Sequence, residues 1–118
     1  MKKTILICDD DKGILEVVKI VLEDKGYNVI SLSEAEKVQD TVIKLKPDLI
    51  LLDLWMPNLN GDTITQTLKD NKNTNHIPII VISANKDTAT IAQKVQADSF
   101  LTKPFNIDEL ERIVERFL

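Results

Sequence analysis

Five short apolar runs recur along the chain, and between them the apolar residues switch to helical spacing. The runs are Thr4 to Cys8, Asn28 to Leu32, Asp48 to Leu52, Pro78 to Ile82 and Ser99 to Thr102. Each is bounded by acids, Gly or Pro, as buried strands are. In the first intervening stretch Ile14, Val17, Val18, Val21 and Leu22 share one face, with Gly26 placed to stop the helix. Ser33 and Glu36 form a capping-box pattern for a second helix that runs to about Leu45, before Pro47. A shorter helix is expected over Asp62 to Lys69, after the turn Pro57-Asn58-Leu59-Asn60-Gly61, and a weaker one over Lys86 to Gln96. Ile107, Leu110, Ile113, Val114 and Phe117 mark the inner face of the last helix. Strand-helix alternation of this kind builds a parallel sheet covered on both faces. A chain of 118 residues suits one such domain, here residues 1–118.

Composition removes several classes of function. A net charge of -4 and a pI near 4.9 argue against a nucleic-acid-binding surface. A single cysteine, Cys8, cannot close an internal disulfide, which fits a reducing, cytoplasmic setting. One His and one Cys cannot build a structural zinc site. His76 lies in an Asn-rich polar stretch with no nucleophile motif beside it and is expected in an exposed loop. No apolar run approaches membrane-spanning length, and the N-terminus is not a signal peptide.

In parallel α/β sheets ligands bind beyond the carboxyl ends of the strands. The first apolar run here ends in Asp9-Asp10-Asp11, the third in Asp53, the fourth in Ser83 and the fifth in Lys103-Pro104. Only the second, with Ser31 and Ser33, is bland. Carboxylates brought within about 4 Å repel by roughly 4 kcal/mol at an effective dielectric near 20, so three of them call for a cation. Mg²⁺ takes oxygen ligands of this kind and keeps waters and phosphate oxygens beside them. An Asp can itself be the nucleophile toward phosphorus, and phosphoryl transfer needs positioning and charge neutralisation more than acid-base chemistry. Each piece also has a structural account of its own. The acid triplet can cap a helix, Asp53 and Ser83 can be turn residues, and Lys103 can be a solvated surface lysine. Their joint placement at four strand ends is what points to a site.

These segments resemble the receiver domain of two-component response regulators, most like the single-domain chemotaxis regulators. The resemblance is carried by Ile5-Leu6-Ile7-Cys8-Asp9-Asp10-Asp11, Asp48 to Pro57, Gly61, Pro78 to Ala84, and Phe100-Leu101-Thr102-Lys103-Pro104-Phe105, in order along the whole chain. It implies a flavodoxin-like, doubly wound five-stranded parallel sheet of order 2-1-3-4-5 with about five helices. Asp53 would be the phosphoacceptor. Asp9, Asp10, Asp53 and the carbonyl of Trp55 would hold Mg²⁺, with Mn²⁺ able to substitute, and Asp10 a more direct ligand than Asp9. Ser83, Ala84 and Lys103 would contact the phosphoryl group, and Phe100 would be the aromatic switch. Asp11 would cap the first helix, and the Lys103-Pro104 bond would be cis. Trp55 and Asn85 would flank the path of attacking water.

The implied function is phosphorelay signalling. A histidine kinase or phosphotransfer protein would supply the phosphoryl group. An effector protein would read the surface of the fourth helix, fifth strand and fifth helix, with a phosphorylation-dependent dimer as a further outcome. No direct DNA binding and no membrane attachment are implied, and the only catalysis is the domain's own phosphorylation and dephosphorylation. Gln96-Ala97-Asp98-Ser99 departs from the family, which often has glycines there, and Phe100 lacks a phenolic oxygen. A phosphatase of the haloacid-dehalogenase type, using the Asp9-Asp11 pair, is a rival reading, but it leaves Asp53 without a role. A receiver-like module that never takes phosphate is another. The chain is expected to be either a stand-alone receiver or one domain of a longer protein.

Overall fold

The three inner strands of the sheet are apolar on both sides, and the structure covers both. The computed structural model describes residues 2–56, 59–84, 88–94 and 96–118, with only the backbone described for Trp55, residues 59–62 and Thr88. Its elements are β1 (Thr4–Cys8), α1 (Lys12–Asp24), β2 (Asn28–Leu32), a 3₁₀ turn (Ala35–Lys37), α2 (Val38–Leu45) and β3 (Leu49–Asp53), then a two-strand ribbon, β4 (Trp55–Met56) with β5 (Leu59–Asn60). There follow α3 (Gly61–Asp70), β6 (Ile79–Ser83), α4 (Thr88–Lys94), β7 (Ser99–Thr102) and α5 (Ile107–Phe117). The main sheet has five parallel strands in the order β2-β1-β3-β6-β7. Counting only these strands, the order is the expected 2-1-3-4-5.

Alternation along the strands divides the core in two. Ile5, Ile7, Leu49, Leu51, Ile80 and Ile82 face α1 and α5, where they meet Leu15, Val18, Leu22, Leu110, Ile113 and Val114. Leu6, Cys8, Ile50, Leu52, Ile79 and Val81 face the other way, onto Val38, Val42, Ile64, Leu68 and Ala92 of α2, α3 and α4. Each fully buried aliphatic side chain contributes roughly 1.5–3 kcal/mol of transfer free energy. The three inner strands are therefore the stable frame on which the strand-end residues are mounted.

Several expectations are corrected. The buried stripe of α1 is Leu15, Val18 and Leu22, whereas Val17 is 54% exposed. Spacing at i, i+3 and i+7 selects that stripe, and Val17 falls one position off it. Ser33 does not cap the second helix. The chain enters it through the 3₁₀ turn, whose cap position is Glu34, and no side-chain hydrogen bond closes that cap. Ile107 of α5 is 49% exposed, so the inner face is Leu110, Ile113 and Val114 with Phe117 half-buried. β3 and β6 lie one residue later than expected and so take Asp53 and Ser83 in as their last residues. Helix α4 is described only over Thr88–Lys94; Lys86 and Val95, in the expected span, lie outside the described residues. α1 stops as expected at Gly26, whose φ of +95° is one that side-chain-bearing residues rarely adopt.

Candidate functional site

β1, β3, β6 and β7 end at one rim of the sheet, and residues at or just past those ends form the candidate site. Asp9 follows β1, and its amide N–H donates to Leu32 O of the neighbouring strand at 3.1 Å. Its side chain is fully buried. Asp9 Oδ1 accepts the Asp11 N–H at 2.9 Å, which fixes the carboxylate and leaves Oδ2 aimed into the site. Asp10 beside it is exposed. Asp11 is the N-cap of α1 and accepts from Gly13 N–H at 2.9 Å and Ile14 N–H at 3.2 Å. It is a capping residue, as expected.

Asp53 closes β3, opposite Ile82 of β6, and is 3% exposed. Ser83 closes β6 and is fully buried, opposite Thr102. The Lys103 N–H donates to Ser83 O at 2.9 Å, so the residue after β7 is tied to the end of β6. Lys103-Pro104 is cis. The lysine's Nζ lies 2.9 Å from Asp9 Oδ2 and 3.2 Å from Asp53 Oδ2. Burial, the largest influence on Lys103, pulls its pKa down. The short contact with Asp9 and the charges of Asp53 and Asp9 outweigh that and carry it above 10.5, so the ammonium stays charged.

One ligand oxygen from each of Asp9, Asp10 and Asp53 lies within 4.8 Å of the others. The contact of Asp9 Oδ2 with Lys103 is an ion pair without hydrogen-bond geometry, so this fully buried oxygen has no hydrogen-bond partner among the described residues. An orphaned buried oxygen beside two further carboxylates is a donor set that fits a hard divalent cation such as Mg²⁺. Trp55 lies two residues beyond Asp53, at the start of the small ribbon. Its side chain, and all of Asn85, lie outside the described residues. Ala84 is exposed just past Ser83, and Phe100 on β7 is 41% exposed. His76 is exposed and stands apart from this set.

Two features of the surroundings were not read from the sequence. Beneath the acids, the Cys8 Sγ–H donates to Met56 Sδ at 3.6 Å. Burial, with the negative charges of Asp9 and Asp53, pushes the Cys8 thiol up to about 12. At the opposite rim, Lys69 of α3 pairs with Asp98 Oδ2 at 2.6 Å and donates to Ile77 O at 3.1 Å. The same Asp98 oxygen accepts the Ile79 N–H at 2.7 Å, which pins the entry of β7 to that of β6. Both pairings depend on contacts across the fold, and residue spacing carries no signal of them.

Comparison with known proteins agrees with this geometry. Residues 5–115 match the family described as the response regulator receiver domain. The chain is 40% identical over 111 residues to the DNA-binding dual master transcriptional regulator RpaA of Synechocystis sp., covering 90% of this chain and 45% of that protein. It spans about half the length of the curated relatives it matches. Among solved structures, the signal receiver domain of a histidine kinase from Syntrophus aciditrophicus superposes with a TM-score of 0.91 at 29% identity, covering 98% of this chain and 89% of that one. The response regulator TrrA of Thermotoga maritima, solved in complex with Mg²⁺ and BeF, gives 0.88 at 28% identity, covering 98% and 99%.

Proposed function

The chain belongs to the response regulator receiver domain family of phosphorelay signalling, and from that membership we propose that Asp53 is its phosphoacceptor. The observation that carries this reading is the position of Asp53. It is a nearly buried carboxylate at a strand end, 3.2 Å from a lysine ammonium and within 4.8 Å of two further acids. A histidine kinase or phosphotransfer protein presents a phosphohistidine. An Asp53 carboxylate oxygen attacks phosphorus, a P–O bond forms as the P–N bond breaks, and the electron pair of that bond stays on the imidazole nitrogen. Lys103, held beside Asp53, offsets charge on the transferring group, and the Ser83 hydroxyl donates to a phosphoryl oxygen with Ala84 beside it. Asp9, Asp10, Asp53 and the Trp55 carbonyl would hold Mg²⁺, or Mn²⁺ in its place. The bound cation supplies the charge neutralisation that phosphoryl transfer requires. Water later takes the phosphoryl group, so the domain's only chemistry is performed on itself.

Residues 1–118 act as one receiver domain in this reading. Its output is a change in the surface of α4, β7 and α5 around Phe100, read by an effector protein or by a second copy, with no direct DNA contact. No helix among the described residues is long and apolar enough to cross a membrane, and the free thiol of Cys8 favours a reducing compartment such as the cytoplasm. Incubation with acetyl phosphate, with and without Mg²⁺, tests the proposal. One phosphoryl group per chain is expected, with Mg²⁺ only and not in Asp53→Asn. Turnover of a phosphomonoester by Asp53→Asn would favour the phosphatase reading instead.

A further inference from the structure

Two carboxylates share the Lys103 ammonium, and the two depend on it differently. Asp9 is fully buried, its Oδ1 is occupied by the Asp11 N–H, and among the described residues its Oδ2 has only Lys103, at 2.9 Å, to answer its charge. Asp53 Oδ2 receives a hydrogen bond from the same ammonium at 3.2 Å. A buried carboxylate left without a counter-charge is strongly unfavourable, so some cation has to stand at Asp9 Oδ2. One oxygen of Asp9 is also among the three that converge within 4.8 Å of one another, and Oδ1 is already engaged by the Asp11 N–H. The lysine and a divalent cation therefore both draw on the Asp9 carboxylate.

Resting on the reading of this site as a Mg²⁺-dependent phosphoacceptor, we propose that Lys103 is the resident counter-cation of Asp9 and competes with the divalent cation for that carboxylate. Lys103 holds the acid site together when no metal is bound, and it gives up Asp9 on metal loading while remaining close to Asp53. Its side chain is 21% exposed, so it is not sealed into the core. The same residue thus opposes metal binding and supports phosphoryl binding. Coupling of this kind is reciprocal: whatever factor Lys103 takes from metal affinity, bound metal takes from the Lys103–Asp9 pair. The site then binds its metal more weakly than three carboxylates alone would, and the affinity is set by a residue that is not a ligand.

Calorimetric titration of the whole chain with Mg²⁺ tests this without a phosphoryl donor. Lys103→Met and Lys103→Gln should each bind Mg²⁺ about tenfold more tightly than the wild type, which corresponds to about 1.4 kcal/mol. In an Asp9→Asn background, Lys103→Met should change the affinity by about threefold at most, because the contested negative charge is gone. A readout on the unaltered protein guards against variants that do not fold. In a Mg²⁺ titration followed by NMR of the lysine ε-methylene groups, the Lys103 signal should move with the calorimetric midpoint. Equal or weaker Mg²⁺ binding in both Lys103 variants, or a Lys103 signal unmoved at saturation, would overturn the competition. If Asp53 labelling remained intact in that case, the phosphoacceptor reading would stand. Labelling that persists in Asp53→Asn would overturn that reading whatever the affinities are.

Discussion

The Lys103 ammonium lies 2.9 Å from Asp9 Oδ2, joining the end of β7 to the end of β1 across the two strands that separate them in the sheet. With its second contact to Asp53 it draws three of the four functional strand ends to one point. The acids would otherwise repel one another. The structure therefore stores a cation requirement, met by a lysine.

That requirement gives the first prediction. Asp10 is the exposed member of the triad and makes no ion pair with Lys103 among the described contacts. Asp10→Asn removes repulsion without orphaning the lysine. Without divalent metal, the variant should be more stable than the wild type by up to about 1 kcal/mol, or a few degrees in Tm. It should also bind Mg²⁺ more weakly. Thermal melts in EDTA and in Mg²⁺ check both, and a variant destabilised in EDTA would show that Asp10 is structurally needed.

The turn before β7 gives the second. Gln96 has φ of +62°, a left-handed conformation in which a side chain costs about 1 kcal/mol or more. Here a residue with a side chain takes that conformation, and the chain bears the strain. Gln96→Gly should raise stability by about 0.5–1 kcal/mol after the entropic cost of glycine is subtracted. Urea denaturation measures it; a loss of stability would mean that the Gln96 side chain makes a compensating contact.

Much of this architecture was legible in the sequence, for physical reasons that also explain the misses. Strands read as short apolar runs, so β1, β2 and β7 fall where the runs predict, although only β1 of the three is buried on both faces. The candidate site was legible because its polar groups stand at or just past the ends of apolar runs. Periodicity was less informative at helix edges. Val17 and Leu15 are equally apolar, and which one is buried depends on how α1 rolls on the sheet. Ser33 carries a good capping signal, yet the chain enters the second helix one residue later, as a 3₁₀ turn. The burial of Asp9 against the exposure of its neighbour Asp10, and the Lys69–Asp98 clamp, come from contacts across the fold. No local pattern encodes them.

Cys8 gives a third prediction. Its thiol is fully buried and pushed up to about 12, chiefly by burial. In the native state it should resist thiol-directed reagents at pH 8 and react only on unfolding. Because the folded pKa is raised above the unfolded value of 9.0, the neutral thiol favours the fold fully below pH 9. That contribution is lost as pH rises toward 12, at about 1.4 kcal/mol per pH unit. Denaturation at pH 8 and at a pH above 10, compared between wild type and Cys8→Ala, isolates it. The variant should show the shallower dependence, and identical slopes would contradict the assignment.

The central claim is that Asp53 carries the phosphoryl group, and its most direct test is to locate the covalent bond. After reaction with acetyl phosphate and Mg²⁺, borohydride reduction converts an aspartyl phosphate to homoserine, which peptide mass spectrometry places in the chain. The account predicts homoserine at position 53, absent when Mg²⁺ is chelated. Homoserine at position 9, 10 or 11 instead, or none under conditions where Mg²⁺ is bound, would contradict it.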